Sequence, residues 1–153
     1  MSHPEEKLTE LGLKLPDVAK PVAAYVPAVR TGNLVYTSGQ LPLRDGTLIA
    51  TGKVGGEVSA EIASDCAQQC ALNALAAIKA QIGDLATVAR VVKVVAFIAS
   101  TPDFTGQPQV ANGASELIGQ VFGEAGQHAR SAVGVPVLPL DAPVEVELIV
   151  EVA

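Results

Sequence analysis

The sequence predicts an α+β domain in which one mixed sheet carries two long helices on the same face. Three observations support this prediction. Apolar residues recur every three or four positions over 59–82, which is typical of an amphipathic helix. Residues 88–100 are rich in β-branched side chains, and residues 144–152 alternate apolar side chains with polar ones. With the segments between them, the order becomes β-hairpin, helix, strand, helix, strand, strand, which is typical of an α+β layer.

The first half of the chain begins with a predicted short helix over residues 4–11. Residues 16–22 contain two prolines and are expected to form an irregular arm. Strands are predicted at Ala24–Arg30 and Leu34–Ser38, because the Gly-Asn pair between them tolerates the positive φ of a hairpin turn. Pro27 lacks an N–H and therefore favours an edge position for the first strand. Residues 40–56 are expected to be loop with at most a short strand.

The main helix is predicted to begin after Ser59, a good N-cap, and to end at Gly83. Its expected core stripe is formed by Ala63, Ala67, Ala71, Leu75, Ile78 and Ile82. A second helix is predicted at residues 108–123, with a core of Val110, Leu117, Val121 and Phe122.

Three further strands complete the predicted sheet. Val88–Ser100 has few polar residues, so we expect a central strand buried on both faces. Strands are also expected at residues 129–137 and 144–152, the second following a turn at Pro139–Pro143. Both long helices lie on one face, so the other face of the sheet lacks a cover within the chain. A second copy of the sheet is the simplest cover.

Composition limits the possible partners. Hydrophobic residues make up 49% of the 153 residues and charged residues 17%. This indicates either a large Ala- and Val-rich core or apolar surface buried in an oligomer. The net charge is −6 and no run of basic residues occurs, which argues against nucleic-acid binding.

No signal peptide or membrane span is indicated, and a cytoplasmic location is expected. Cys66 and Cys70 are interpreted as small buried hydrophobic residues in a reducing environment. No nucleotide-binding, zinc-protease or nucleophile-elbow motif is present, so neither a cofactor nor a metal is expected.

Two charged residues are candidates for chemistry. Arg130 begins a strand of small and apolar residues, where its fork would suit a carboxylate. Composition alone favours the other interpretation, a structural ion pair with a glutamate of the neighbouring strand. Glu145 lies opposite the valine face of the last strand. If partly buried it could have a raised pKa and take a proton from water, and otherwise it belongs to a solvated face.

Four other polar residues carry weaker signals. Tyr25 and Ser38 offer hydroxyl groups on the hairpin, but by themselves they are ordinary strand residues. His3 is expected in a frayed terminus. His128, beside a glycine-rich turn, is expected to be a surface residue rather than a base.

Three blocks of sequence resemble one known family. They are AYVPAVRTGNLVYTSGQLP (24–42), VKVVAFIASTPDF (92–104) and ARSAVGVPVLPLDAPVEVELIVEV (129–152). Their order and spacing are similar to the reactive intermediate deaminase (Rid or YjgF-like) family, whose members also carry the labels "endoribonuclease L-PSP" and "translation initiation inhibitor". The resemblance implies a chorismate-mutase-like fold and a homotrimer whose sheets line a barrel-like centre. It also implies cofactor-free hydrolysis of enamine or imine acids, as by a 2-iminobutanoate/2-iminopropanoate deaminase, in clefts between subunits.

The resemblance assigns roles to residues of this chain. Arg130 matches the arginine that clamps the substrate carboxylate, Glu145 the glutamate proposed to activate water, and Tyr25 the tyrosine of the cleft. Ser38 and Gly39 match the loop that lines the pocket. The main-chain N–H of Ala132 would be a further donor to the substrate carboxylate.

Some features depart from the common pattern of the family. Ala132 stands where many members have a cysteine, so a thiol is lacking there. The segment between Asn112 and Arg130 is about one residue longer than in the shorter members. A single domain over residues 1–153 is expected, with an N-terminal helix and arm (1–16), typical of a longer subgroup, before the Rid-like part (18–153).

The alternatives to a deaminase differ in what they do with the same pocket. A non-catalytic protein would bind or sense a small carboxylate through Arg130. An endoribonuclease fits poorly with the acidic composition. The sequence neither supports nor excludes a chaperone-like role.

Overall fold

The computed structural model describes residues 3–20 and 24–153. Its main sheet has five strands in the order β1-β2-β7-β5-β6, and only the β5–β6 pair is parallel. This confirms the α+β class with a mixed sheet. The elements are α1 (Pro4–Glu10), β1 (Ala28–Thr31), β2 (Leu34–Thr37), β3 (Leu43–Arg44), β4 (Thr47–Leu48), α2 (Ala60–Ile82), β5 (Val88–Ala99), α3 (Gln107–Phe122), β6 (Ala129–Val135) and β7 (Val144–Val152).

Helix α2 forms where its sequence signals predict it. The Ser59 side chain accepts a hydrogen bond of 3.2 Å from the Ile62 N–H, and Gly83 ends the helix at a positive φ of 85°. The predicted stripe is buried except for Ile82, which is partly exposed. Residues 69–78 are buried on all sides, because the sheet lies on one side of the helix and α3 on another.

Both long helices pack on one face of the sheet. Helix α2 contacts β7 and β2, α3 contacts β5 and β6, and the two helices contact each other. Strand β7 alternates as predicted, since Val144, Val146, Leu148, Val150 and Val152 are buried beneath the helices. The core is therefore a single apolar layer between the helices and the sheet.

The other face of the sheet, which we call the open face, has no helix over it among residues 3–20 and 24–153. Its exposed apolar residues Val29, Tyr36 and Val133 are 53%, 43% and 43% exposed. The predicted burial of β5 on both faces is wrong for the single chain, because the open-face side chains of Val95 and Phe97 are only half-buried.

Four predicted strands are shorter in the structure. Strand β1 begins at Ala28 rather than at residue 24, directly after Pro27, and it is an edge strand as predicted. Strand β2 ends at Thr37, β5 at Ala99 and β6 at Val135. Residues 16–20 of the predicted arm are irregular, and residues 21 and 22 lie outside the described part.

Two local features differ from the sequence prediction. Strands β3 and β4 form a small hairpin in the expected loop, because Asp45 and Gly46 both adopt positive φ in its turn. His3 is not frayed. It caps α1 by accepting a hydrogen bond from the Glu5 N–H, and its ring contacts Asp84 at 2.7 Å.

Cys66 and Cys70 are buried free thiols, as predicted. Burial raises the pKa of Cys66 to about 11 and that of Cys70 well above its ordinary value. No helix within residues 3–20 and 24–153 combines the length and hydropathy needed to cross a bilayer.

Candidate functional site

Glu145 lies on the open face at the beginning of β7. It is opposite Phe97 of β5, and its side chain is half-buried. The carboxylate lies directly against Gly39, where an added Cβ atom would overlap Oε2 and come within 2.7 Å of Cδ. The carboxylate therefore occupies space that is available only because Gly39 has no side chain.

The environment of Glu145 raises its pKa above the ordinary value of 4.5. Burial is the larger cause and the negative charge of Glu147, on the same strand and face, is the second. A carboxylate with a raised pKa is a stronger base than an exposed one, which is the property that a proton acceptor for water needs.

Ser38 and Tyr25 belong to the two segments next to the Glu145 carboxylate. The Ser38 hydroxyl donates to the Val26 carbonyl at 2.6 Å, and its N–H donates to the Pro27 carbonyl at 2.8 Å. These bonds hold the segment that carries Tyr25, which is 50% exposed, alongside residues 38 and 39. We refer to Tyr25, Ser38, Gly39 and Glu145 as the glutamate half-site.

Arg130 lies on the edge strand β6, on the helix side of the sheet, opposite Val94. Nη1 donates to Asn112 Oδ1 at 2.7 Å and to Ser115 Oγ at 3.2 Å, and Nη2 donates to the Pro108 carbonyl at 3.4 Å. The three acceptors are four and three residues apart, so they lie along one face of α3.

The guanidinium has no charged partner within the described residues, so they provide no support for a structural ion pair. Three of its five N–H groups donate to neutral protein acceptors. Both hydrogens of Nη1 are used, which leaves one on Nε and one on Nη2. Two adjacent N–H groups match the two oxygens of a carboxylate.

The main-chain N–H of Ala132 points out of the sheet at the same edge. Ser100 N–H donates to the Val135 carbonyl, so residue 135 directs its backbone groups toward the β5 side. Backbone groups alternate along a strand, and those of Ala132 therefore face away from β5. We refer to Arg130 and Ala132, with Asn112 and Ser115 behind them, as the arginine half-site.

The two half-sites do not meet within one chain. Arg130 projects toward the helices and Glu145 toward the open face, and β5 separates their strands. Two strand spacings correspond to about 10 Å. Tyr25 and Ser38 lie still farther away, at the β1–β2 edge. A small molecule cannot contact both half-sites of a single chain.

Sequence reasoning missed three residues of the arginine half-site's support. Asn112 and Ser115 bind the guanidinium, and His128, predicted as a surface residue, is half-buried. Its Nε2 contacts Ser115 Oγ at 2.9 Å and its Nδ1 contacts the Gly126 carbonyl at 2.6 Å. The spacing of Asn112 and Ser115 places them on one helix face, but only tertiary packing brings that face to Arg130.

One cluster of potential metal ligands occurs in the described part of the chain. It consists of His3, Glu5 and Asp84, none of which belongs to either half-site. These side chains already pair with one another or with Lys79. We therefore interpret the cluster as an ion-pair network that connects α1 with the end of α2.

Comparison with known proteins identifies related sequences. Residues 5–152 match the family model described as "YjgF/chorismate_mutase-like, putative endoribonuclease". The chain is also similar to Protein TCP17 of Trypanosoma cruzi, with 47% identity over 145 residues, which covers 94% of this chain and 91% of that protein.

Solved structures are similar over nearly the whole chain. The protein Atu1372 of Agrobacterium tumefaciens, of unknown function, is 48% identical with a TM-score of 0.92, covering 98% of this chain and 92% of that one. A "putative endoribonuclease" from Shewanella oneidensis is 31% identical with a TM-score of 0.96, covering 99% and 100%. The YjgF gene product of E. coli is 30% identical, with a TM-score of 0.61 and coverages of 88% and 93%.

Proposed function

The chain belongs to the YjgF/chorismate mutase-like family, and we propose that it hydrolyses reactive enamine and imine acids, such as 2-aminoacrylate, to 2-keto acids and ammonia. The observation that carries this proposal is the Arg130 fork. Two of its N–H groups have no acceptor among the described residues, at the sheet edge to which the Ala132 N–H also points. This arrangement suits a small planar carboxylate.

The proposed chemistry requires little beyond positioning and one proton acceptor. Arg130 and the Ala132 N–H hold the carboxylate, and the guanidinium charge draws electron density away from the conjugated imine carbon. An enamine reacts as its imine tautomer. Glu145 orients water, accepts one of its protons as the oxygen adds to that carbon, and passes this proton to the nitrogen, which gives a carbinolamine. The proton left on the added hydroxyl then moves through Glu145 to the nitrogen as the C–N bond breaks and the C=O bond forms. One imine and one water thus give one keto acid and one ammonia. Holding the reactants together lowers the entropic part of the barrier.

A neighbouring copy would complete the site. Since one chain keeps its half-sites on opposite faces and different strands, we propose that the arginine half-site of one subunit meets the glutamate half-site of the next. A homotrimer closes such a repeated contact in a ring. The exposed apolar residues of the open face would then line its centre.

The name of the Shewanella relative raises the possibility of RNA cleavage. The composition favours a small acid instead. The net charge is −6, only 10 of 153 residues are Lys or Arg, and no basic run follows the backbone of a nucleic acid.

The proposal is tested by generating 2-iminobutanoate or 2-aminoacrylate in situ and measuring keto-acid release. Wild type is expected to accelerate release. Arg130→Ala is expected to abolish the acceleration, and Arg130→Lys to restore little of it, because an ammonium group cannot form the bidentate fork. Arg30→Ala, at an exposed arginine of strand β1, is the matched control and should behave as wild type.

Each contrary result has a distinct meaning. Binding of the keto acid without acceleration would indicate a carboxylate-binding protein that uses the same clamp. Equal activity of wild type and Arg130→Ala would refute the clamp. Cleavage of purified RNA by wild type, lost in Arg130→Ala, would revive the ribonuclease function.

A further inference from the structure

His128 lies immediately beside the arginine half-site, two residues before Arg130. Its ring is half-buried between α3 and the turn that precedes β6. Nδ1 contacts the Gly126 carbonyl at 2.6 Å, and Nε2 contacts Ser115 Oγ at 2.9 Å. Both ring nitrogens therefore have a specific partner, which is unusual for a histidine that merely covers a surface.

The partners determine the direction of the hydrogen bonds. The Gly126 carbonyl can only accept, so Nδ1 must carry a proton and donate it. In the neutral ring Nε2 is then the acceptor, and the Ser115 hydroxyl donates to it. The hydroxyl hydrogen is thereby directed away from Arg130, and an oxygen lone pair is left facing the guanidinium.

That lone pair accepts the second hydrogen of Arg130 Nη1, at 3.2 Å. Asn112 Oδ1 accepts the first hydrogen, at 2.7 Å. With both Nη1 hydrogens held, the guanidinium cannot rotate about its long stem without breaking these bonds. The Nε–Nη2 edge is consequently the one that remains for a ligand.

We propose that His128 is a positioning residue which, through Ser115, fixes the orientation of the Arg130 fork for a carboxylate. The inference rests on the proposed function for the identity of the ligand, and it adds the residues that determine the clamp's geometry. A guanidinium that is free to rotate would carry the same charge, but it would lose rotational entropy when it binds the carboxylate. Holding the guanidinium in its binding orientation beforehand removes that cost and therefore raises the affinity.

The test measures binding of 2-oxobutanoate, the keto-acid product, to full-length protein by NMR titration. His128→Phe keeps the ring volume but removes both bonds, and Ser115→Ala removes the link to Arg130. Each is expected to weaken binding about three- to tenfold, the effect of one hydrogen bond. Ser115→Thr retains the hydroxyl and is expected to restore most of the affinity.

Two controls separate positioning from a general loss of structure. In an Arg130→Ala background, His128→Phe is expected to have no further effect, because the residue it acts through is gone. Binding of 2-oxobutanamide, which lacks the charged carboxylate, should be equally weak in wild type and both variants. His3→Phe changes the other histidine of the chain, also hydrogen-bonded to a backbone group, and should leave binding unchanged.

The outcomes distinguish the inference from the proposed function. If wild type binds 2-oxobutanoate through Arg130 but both His128→Phe and Ser115→Ala bind equally well, the positioning role is refuted and the clamp stands. An effect of His128→Phe that persists undiminished in the Arg130→Ala background also refutes it. If wild type fails to bind, the clamp and its positioning residue are refuted together. Should His128→Phe fail to fold, Ser115→Ala decides the question.

Discussion

The carboxylate of Glu145 lies against Gly39, in the space that the Cβ atom of any other residue would occupy. Gly39 does not require a positive φ, so its small size, rather than its conformational freedom, matters here. The contact determines how closely the Glu145 carboxylate approaches the loop that follows β2.

Gly39→Ala is therefore expected to impair the proposed reaction without unfolding the protein. The overlap involves the far end of a flexible side chain, so the Glu145 carboxylate should swing away at little cost in stability. We expect keto-acid formation to fall about a hundredfold, the lower end of the range for a positioned base. Thermal unfolding should shift by only a few degrees. Wild-type turnover in this variant would show that the position of Glu145 is unimportant.

Glu145→Gln is expected to raise stability at neutral pH while lowering activity. Burial and Glu147 raise the pKa of Glu145 in the folded protein, so its charged form opposes folding above that pKa. As the pH falls through the raised pKa toward the ordinary value of 4.5, the folded wild type takes up the proton first. The stability advantage of the variant should therefore shrink.

Urea unfolding at pH 7 and near pH 4 measures this difference. Glu151→Gln, at the exposed end of the same strand, controls for loss of a negative charge. A variant less stable than wild type at pH 7 would mean that the Glu145 carboxylate is stabilised by partners in the assembly.

Two glycines of α3 should respond in opposite ways to alanine. A Cβ at Gly113 would overlap the backbone of Ser64 on α2, whereas a Cβ at Gly119 would meet nothing within 4 Å. Gly113→Ala is expected to cost roughly 1–3 kcal/mol through overpacking. Gly119→Ala should gain about 0.5–1 kcal/mol from helix propensity. Denaturant unfolding of both variants checks the prediction, and equal effects would contradict the close α2–α3 contact.

A charge on the open face is expected to disrupt self-association. Val133→Glu places a carboxylate at an exposed apolar position of β6, where the proposed trimer buries it. Light scattering should report a smaller particle with retained secondary structure. Ile62→Glu, at a similarly exposed position on the helix layer, is the matched control and should leave the assembly intact. Identical masses for both variants would remove the open face from the interface.

Periodic patterns allowed most of the fold to be predicted. The alternation of β7 and the three- and four-residue spacing in α2 each reflect one buried face, and that information is local. The β3–β4 hairpin escaped prediction because two-residue strands carry no period, and only the positive φ of Asp45 and Gly46 defines their turn. The burial expected for β5 on both faces is not reached in the single chain, because both long helices lie on the same face of the sheet.

The candidate site was only partly predictable, because most of its contacts form through tertiary packing rather than within one element. Arg130 stood out because a charged residue begins an otherwise small and apolar strand. Its supports, Asn112, Ser115 and His128, are polar residues of ordinary appearance whose meaning depends on how α3 packs against β6. Likewise, the contact of Gly39 with Glu145 follows from the approach of a loop to a strand.

The most direct test of the account mixes two inactive proteins. Arg130→Ala and Glu145→Gln chains, carrying different tags, are co-expressed, and particles that contain both are purified and assayed for keto-acid release. If each site combines the arginine half-site of one subunit with the glutamate half-site of the next, every trimer that contains both chains has one restored site, about one third of its sites. Activity near a third of wild type is therefore expected from two parents that have almost none. Mixed particles as inactive as their parents would contradict the account, because both residues would then have to act from the same chain.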